Sequence, residues 1–264
     1  MLLMGAGGTG KSAVVHELDA KLKDMGTNLL VTAYTGVASA PFGGPTLLAL
    51  FNLSPSTMKH KRPKDLNRHQ IEDTRKKFKE ESGMDMDCVG SIVIDEISFV
   101  EAWVLGHVDS ILRQCTGTDA PFGGIPMLLA GDNMQKEPPN SQGGPWYKCL
   151  VDRAIGDLSK FPTDTAQAKG LDLLADMPLY KLERLMRAQN DQKFVEWQKH
   201  MRRTDVDQPV CNDFLDHLRE LRPEDLKQDM GWAFAPIGVL SRWERDTMNY
   251  SQARTFAETF RLPF

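Results

Sequence analysis

The sequence predicts an α/β protein in which helices cover both faces of a parallel β-sheet. Short, almost fully apolar strand candidates recur along the first half of the chain, and helical patterns separate them. This alternation is typical of βα units, whose strands are buried on both faces. A glycine-rich loop joins the first strand candidate to the first helix. The 264 residues are 41% hydrophobic and 26% charged, a globular composition that excludes a disordered chain.

The first predicted domain spans residues 1–178 and begins with an apolar strand at 2–4. The helix that follows, at 11–25, has apolar residues at positions 14, 15, 18 and 22, a spacing that places them on one face. Three further strands, at 28–32, 91–95 and 126–130, are apolar runs of the length that buried strands have.

A second domain, at 179–264, is predicted to begin after Pro178 and to be incomplete. By the same patterns its elements are strands at 179–182 and 237–240 and helices at 194–201, 214–221 and 242–250. Little sequence precedes the first strand of the first domain or follows these last elements. We therefore expect the chain to be cut at both ends.

Composition and charge exclude several kinds of protein. The chain has 32 basic and 36 acidic residues, so a nucleic-acid surface would have to be local. Its four cysteines form no Cys-x-x-Cys pair, which argues against a zinc ribbon or a disulfide framework and fits a reducing, intracellular compartment. Residues 25–53 are uncharged, but glycines and prolines interrupt them, so we predict no membrane span. The start of the chain does not have the pattern of a signal peptide.

The strongest functional signal is a loop that fits the phosphate-binding pattern G-x-x-x-x-G-K-[ST], Gly5-Ala6-Gly7-Gly8-Thr9-Gly10-Lys11-Ser12. Glycines allow successive N–H groups to surround a phosphate, and the following helix presents its positive end to the same anion. Lys11 can reach the β- and γ-phosphates, and the Ser12 hydroxyl can bind Mg²⁺. The alternative, a glycine-rich turn with a chance lysine, fits the flanking strand and helix less well.

An acidic pair, Asp95 and Glu96, follows the apolar core of the strand at 91–95. Strands of such a sheet end at the edge where phosphates bind, so Asp95 is placed to hold Mg²⁺, directly or through water. Glu96 is placed to polarise the attacking water. Alone, the pair would more often cap the next helix. Beside a phosphate loop, it indicates a nucleoside-triphosphate hydrolase rather than a kinase.

Two further residues are candidates for contact with the γ-phosphate. Gln135 follows the strand at 126–130, where its amide could hydrogen-bond that phosphate and report its loss. Arg187 stands at the opening of the second predicted domain, from which it could face the nucleotide across a cleft. The alternative for Arg187 is an ordinary surface arginine.

These motifs, in this order, resemble the superfamily 1 DNA helicases of the petite-integration-frequency type, which include the helicase part of Helitron transposases. The matching segments are spread over nearly the whole chain. They are residues 5–12, 32–39 with 44–46, 92–96, 131–132 with Gln135 and 138–139, Leu182 with Arg187, Asp191 and Phe194, and 239–241 with Asn249. The phosphate loop alone is generic, whereas Thr-Gly-Val-Ala-Ser combined with Gly-Asp-x-x-Gln is more specific.

The resemblance implies a RecA-like phosphate-loop NTPase domain followed by an incomplete second RecA-like domain. It implies ATP hydrolysis with Mg²⁺, coupled to 5′→3′ movement on single-stranded DNA and to unwinding at duplex junctions. The processes it implies are DNA repair, recombination or telomere maintenance, in the nucleus or mitochondrion of a eukaryote and in the cytoplasm otherwise. We expect the protein to be a monomer and to have no membrane partner.

The resemblance also implies a role for each candidate residue. In its terms, residues 5–12 bind ATP, Lys11 contacts the phosphates, Ser12 and Asp95 hold Mg²⁺, Glu96 activates water, Gln135 senses the γ-phosphate and Arg187 is an arginine finger. Thr35 and Gly36 would lie against the DNA backbone, where hydroxyl and main-chain N–H groups suit phosphate.

The chain also departs from the family pattern, which leaves a second hypothesis open. Asn133 stands where the family usually has an aromatic residue, and Lys136-Glu137 stands where leucine is usual. The family's adenine-gripping first segment and two of its later motifs are missing. The alternative is therefore a nucleotide- and DNA-binding module without turnover. A third hypothesis is an unrelated phosphate-loop enzyme such as a small-molecule kinase, against which residues 35–39 and 131–135 argue.

A basic segment at 59–79 has two interpretations. Its nine basic and three acidic residues would suit contact with nucleic-acid phosphates through counterion release. Acidic residues follow at once, at positions 80, 81 and 85, which favours an ordinary solvated helix.

Overall fold

The computed structural model describes residues 1–58, 61–135, 137–138, 145–154, 164–202 and 238–263. Its strands are β1 (Leu2–Gly5), β2 (Asn28–Ala33), β3 (Val89–Asp95), β4 (Met127–Gly131) and β5 (Leu179–Leu182). Its α-helices are α1 (Lys11–Asp24), α2 (Gly36–Ser39), α3 (Leu47–Leu50), α4 (Pro55–Met58), α5 (Arg68–Ser82), α6 (Ala102–Thr116), α7 (Trp146–Ala154), α8 (Ala166–Ala175), α9 (Gln192–Met201) and α10 (Arg242–Phe260). Within the described residues, no helix is long and apolar enough to cross a membrane.

The five strands form one sheet in the order β2-β3-β4-β1-β5, and every neighbouring pair is parallel. This confirms the predicted parallel sheet. β4 lies between β1 and β3, and its Leu129 is opposite both Leu2 and Ile94. Because the strands are parallel, their carboxyl ends share one edge. The loop after β1 therefore lies beside the tip of β4, which lies beside the tip of β3.

Helices cover both faces of the sheet, as the sequence predicts. Alternate strand residues point to opposite faces. Leu3, Val93 and Leu128 pack with Val15 of α1 on one face. Ile92, Ile94 and Leu129 lie in a larger core on the other, with Phe78 of α5, Trp103 of α6 and Leu171 of α8 among its members. This double cover explains why the strands are almost fully apolar.

The chain divides into two compact units, Met1–Gln198 and Lys199–Phe264. The boundary that we expect after Pro178 falls inside the first unit, because Leu179–Leu182 pairs with β1 and forms the edge strand of its sheet. A short strand carries no local signal of the sheet that it joins, so the change of pattern after Pro178 suggested a new domain.

Two expectations about residues beyond 200 are corrected or extended. The strand at 237–240 is wrong for the described residues 238–240, which are irregular and end in a fully exposed Leu240. An apolar run becomes a strand only where a neighbouring strand bonds to it, and here Ser241 instead caps α10. The helix expected at 242–250 is present and continues to Phe260. The helix expected at 214–221 lies outside the described residues.

His107 is a buried histidine that joins α6 to the end of α4. Its Nε2–H donates to the Met58 carbonyl at 3.1 Å, and its ring meets Trp103 edge to face. Burial lowers the pKa of His107 below the ordinary 6.5; the hydrogen bond to Met58 opposes this shift, and the charge of Lys169 adds to it.

We expect the fold to lose stability as the pH falls below about 6.5, the ordinary histidine pKa. Because the pKa of His107 is depressed in the folded state, the unfolded chain binds the proton first. The stabilisation is therefore complete above that pH and is lost on acidification. Urea unfolding of the wild type and of His107→Gln, from about pH 8 to pH 5, measures this. Parallel stability profiles of the two proteins would show that another group is responsible.

Candidate active site

The phosphate loop turns from β1 into α1 through two left-handed glycines, Gly8 (φ 84°) and Gly10 (φ 98°). L side chains rarely adopt this conformation, so the loop requires glycine at both positions. Thr9 is buried between them, and its hydroxyl donates to the Ala6 carbonyl at 2.8 Å. The turn is thus braced from within.

Lys11 and Ser12 occupy the first turn of α1, at the end of this loop. The Lys11 ammonium donates to the carbonyls of Gly5 and Ala6 at 2.8 and 3.2 Å. Phosphate is a stronger acceptor than a carbonyl, so the ammonium is placed to move onto a phosphate in the loop. Ser12 is exposed, and its hydroxyl is open to solvent at the same turn.

The acidic pair lies at the tip of β3, two strands from the loop. Glu96 has a left-handed backbone (φ 53°, ψ 47°), which is unusual for a residue other than glycine and is held by its surroundings. Its amide donates to Asp95 Oδ1 at 2.8 Å. Glu96 Oε2 is buried and has no hydrogen-bond partner among the residues that the structure describes. A buried carboxylate oxygen left unpaired is costly, so this position is suited to a water or a cation.

The electrostatics of the pair link it to the loop. Burial raises the pKa of Asp95, and the Glu96 amide and the charge of Lys11 oppose that rise. Burial, followed by the charge of Asp95, raises the pKa of Glu96; Lys11 opposes this, and Asp132 adds to it. The charge of Lys11 therefore acts on both carboxyl groups, as expected if the three residues belong to one site.

The tip of β4 places Gln135 against the phosphate loop. Asp132 is 2% exposed; its carboxylate accepts from the Met134 amide and its carbonyl accepts from the Gln135 amide, both at 3.1 Å. This turn brings Gln135 Nε2 to 3.7 Å from the point where a Cβ on Gly7 would lie. The structure thus brings Gln135 close to the phosphate loop, where we expect it to sense the γ-phosphate of a bound nucleotide.

Sequence reasoning assigned no role to Asp132, although its buried charge acts on Glu96. The signal was present, because an aspartate directly after a buried strand is either a cap or part of a site. Only the insertion of β4 between β1 and β3 shows that Asp132 lies next to the acidic pair.

Arg187 lies beside the phosphate loop within the first unit, and so the expectation that it belongs to a second domain is corrected. The amides of Met186 and Arg187 donate to the Gly8 carbonyl at 2.8 and 3.1 Å. The cause is β5, whose pairing with β1 sets Leu182 opposite Gly5 and leads the next residues over the loop. The Arg187 residue itself is exposed.

Thr35 and Gly36 lie apart from the loop, at the end of the edge strand β2. Both are exposed, and the Thr35 hydroxyl accepts from the Ala38 amide at 3.3 Å to cap α2. Gly44 packs so closely on β2 that a Cβ there would lie 1.9 Å from the Val31 carbonyl oxygen. The turn at 35–39 is thus a separate surface, with β3 and β4 between it and the loop.

The described part of the basic segment behaves mainly as a solvated helix. Its ion pairs include Arg62 with Asp164, Arg68 with Glu72, Arg75 with Asp87, Lys76 with Glu80 and Lys79 with Asp85. Lys77 donates to the Asn52 side chain. These intramolecular partners compete with phosphate for the same basic groups, which favours the second of the two interpretations.

Comparison with known proteins gives a consistent result. The family model described as PIF1-like helicase matches residues 1–211. The chain is 27% identical over 224 residues to the ATP-dependent DNA helicase PIF1 of Saccharomyces cerevisiae, covering 84% of this chain and 23% of that protein. It is 31% identical over 188 residues to the ATP-dependent DNA helicase PIF3 of Trypanosoma brucei brucei, covering 70% and 21%. The chain thus spans less than a quarter of these two relatives.

Solved structures of similar fold also match most of the chain. The Pif1 helicase of Candida albicans superposes with a TM-score of 0.64 at 23% identity, covering 97% of this chain and 51% of that one. A Pif1 structure that addresses unwinding of forked duplex DNA by two coordinating helicases superposes with a TM-score of 0.58 at 25% identity, covering 83% and 48%.

Proposed function

Because this chain belongs to the PIF1-like helicase family, we propose that it carries the ATP site of a DNA helicase that couples ATP hydrolysis to 5′→3′ movement on single-stranded DNA and to duplex unwinding. One observation carries the hydrolytic part of the proposal. The phosphate loop, the acidic pair and Gln135 come from three adjacent strands and meet at one edge of the sheet.

The proposed reaction uses groups that the fold already holds in place. Lys11 leaves the Gly5 and Ala6 carbonyls for the β- and γ-phosphates and offsets their charge. Glu96 accepts the proton of the water that attacks the γ-phosphorus, and ADP leaves. Gln135 hydrogen-bonds the γ-phosphate, and Arg187 stabilises the charge that builds up on it.

The residues present fit a Mg²⁺ ion bound with ATP. Ser12 and Asp95 would hold it, and the buried, unpaired Oε2 of Glu96 lies in the same acidic region. The described residues contain no group of three or more His, Cys, Asp and Glu side chains able to hold a metal alone. Phosphate oxygens and waters would therefore complete the shell, as is usual for Mg²⁺. When bound, the ion supplies charge that neutralises the phosphates.

DNA is proposed to bind at the separate surface formed by Thr35 and Gly36. Both residues are exposed, and the hydroxyl and main-chain N–H groups there suit phosphate oxygens. Single-stranded DNA and duplex junctions are the proposed partners, and a monomer is the proposed acting form.

The test is phosphate release from ATP·Mg²⁺ by this chain, with and without single-stranded DNA. We expect release that DNA stimulates and that Lys11→Ala abolishes. Lys23→Ala is the matched control, because Lys23 lies on the same helix and pairs with Asp19 at the surface. Release that ignores DNA would contradict the coupling. ATP binding without release would favour the alternative, a nucleotide- and DNA-binding module, and phosphate transfer to another acceptor would indicate a kinase.

A further inference from the structure

The carbonyl of Gly8 is held by two main-chain donors from outside the phosphate loop. Met186 N–H donates to it at 2.8 Å and Arg187 N–H at 3.1 Å. A carbonyl oxygen has two lone pairs, and these two donors occupy both of them. Gly8 O cannot turn toward a bound phosphate without breaking both bonds.

Such a restraint matters because of the loop's composition. Gly7 and Gly8 have no side chain to limit rotation of their peptide groups, and Gly8 already has a positive φ of 84°. A loop that binds anions must keep its carbonyl oxygens, the negative ends of peptide dipoles, away from the phosphates. Within the loop, the Ala6 carbonyl is held by the Thr9 hydroxyl, which donates to it at 2.8 Å. The Gly8 carbonyl is held by the segment after β5.

The contact between the two segments is close. A Cβ on Gly8 would lie 3.0 Å from Arg187 Cβ and 3.9 Å from Arg187 Cδ. Leu185, directly before the two donors, is 8% exposed and anchors the segment in the protein. The segment continues from the end of β5, which pairs with β1, and it can serve as a support for the loop.

We propose that the main chain of Met186 and Arg187 is a clasp that positions the phosphate loop for nucleotide. The clasp acts through its N–H groups alone, whichever side chains those residues carry. It also fixes where the Arg187 side chain begins. The inference rests on the proposed function in taking a nucleoside di- or triphosphate as the ligand, and it adds Met186 as a positioning residue.

The experiment removes one clasp donor and keeps the Met186 side chain. Met186 is replaced by its α-hydroxy acid, so that the N–H becomes an ester oxygen while the side chain and the backbone freedom stay. Affinity for Mg²⁺ and fluorescent N-methylanthraniloyl-ADP is then measured. We expect it to fall about fivefold, the usual effect of one lost hydrogen bond. The matched control is the same replacement at Val195, whose N–H donates to the Asp191 carbonyl at 3.0 Å, away from the loop.

A second variant separates the clasp from the arginine side chain. Arg187→Ala keeps both N–H donors, so its affinity for ADP should equal that of the wild type while its ATP turnover falls. If residue 186 had only a structural role, the Met186 ester would have a lower melting temperature, and its ADP affinity and ATP turnover would fall to the same extent.

Each outcome decides between the two proposals. Equal ADP affinity for the Met186 ester and the unmodified chain would overturn the clasp, whatever happens to hydrolysis. An unmodified chain that binds ADP but releases no phosphate would refute the proposed hydrolysis, and a fivefold loss in the ester would still support the clasp. A chain that binds no ADP would overturn both.

Discussion

Glu96→Gln is expected to slow ATP hydrolysis at least about a hundredfold, since a general base contributes about 10²- to 10⁴-fold. Glutamine has the same shape but cannot accept the proton of the attacking water. Nucleotide binding should persist, because the proposed mechanism has the phosphates held by the loop and by Lys11. Phosphate release and equilibrium ADP binding, measured side by side, test both parts.

The pH dependence of the rate gives a second, independent readout of Glu96. Burial and the charge of Asp95 raise the pKa of this carboxyl, so the base loses its proton at a higher pH than an ordinary glutamate does. Activity should therefore rise with pH across that raised pKa, and the residual activity of Glu96→Gln should lack this rise. Glu17→Gln, on the exposed side of α1, is the control. A hydrolysis rate for Glu96→Gln within threefold of the wild-type rate would contradict the proposed role of Glu96 as the base.

Gly170→Ala is expected to destabilise the first unit by about 3 kcal/mol, at the upper end of the usual cost of overpacking. The helices α6 and α8 cross at Gly106 and Gly170. A Cβ on Gly170 would lie 1.8 Å from the Ala102 carbonyl oxygen and 3.2 Å from the Gly106 amide nitrogen. Both neighbours are backbone and cannot rotate away, so the helices must separate. The gain of about 1 kcal/mol in helix propensity opposes only part of this cost.

Urea unfolding followed by tryptophan fluorescence measures the effect, because Trp103 is buried on α6. Gly238→Ala controls for the change in the unfolded chain, since a Cβ at Gly238 would meet nothing within 4 Å. If Gly170→Ala unfolded at the same urea concentration as the wild type, the close crossing would not contribute to stability.

Much of the fold follows from local pattern. All five strands of the sheet were predicted within a few residues of their observed bounds. Four of them are short, mainly apolar runs that are largely buried, whereas β5 is an exposed edge strand. The order of those strands could not be predicted, since it depends on contacts between distant residues such as Leu2 and Leu129. The same limit explains the domain boundary expected after Pro178, because nothing local in Leu179–Leu182 reveals its pairing with β1.

The candidate site divides in the same way. The loop, Asp95, Glu96 and Gln135 were recognisable because each lies at the end of an apolar strand or within a few residues of it, and parallel strands bring such residues to one edge. Asp132 and Met186 were not recognised. Asp132 lies at the site only because β4 is next to β3 in the sheet. The proposed role of Met186 depends on its main-chain N–H, which the identity of its side chain does not reveal. The roles given to the site residues stay predictions until the variants are measured.

The strand order also has a consequence for synthesis on the ribosome. β1 is synthesised first, but its two neighbours in the sheet are β4 and β5. Leu2 therefore cannot form its strand pairs until Leu129 and Leu179 have been synthesised. β2 and β3 can pair earlier, before the central strand β4 has been synthesised. The nucleotide pocket is therefore assembled late, when the residues after β5 have left the ribosome. Shortened chains that end before residue 182 should retain the loop sequence but leave β1 with an open edge, the kind of surface on which nascent chains aggregate.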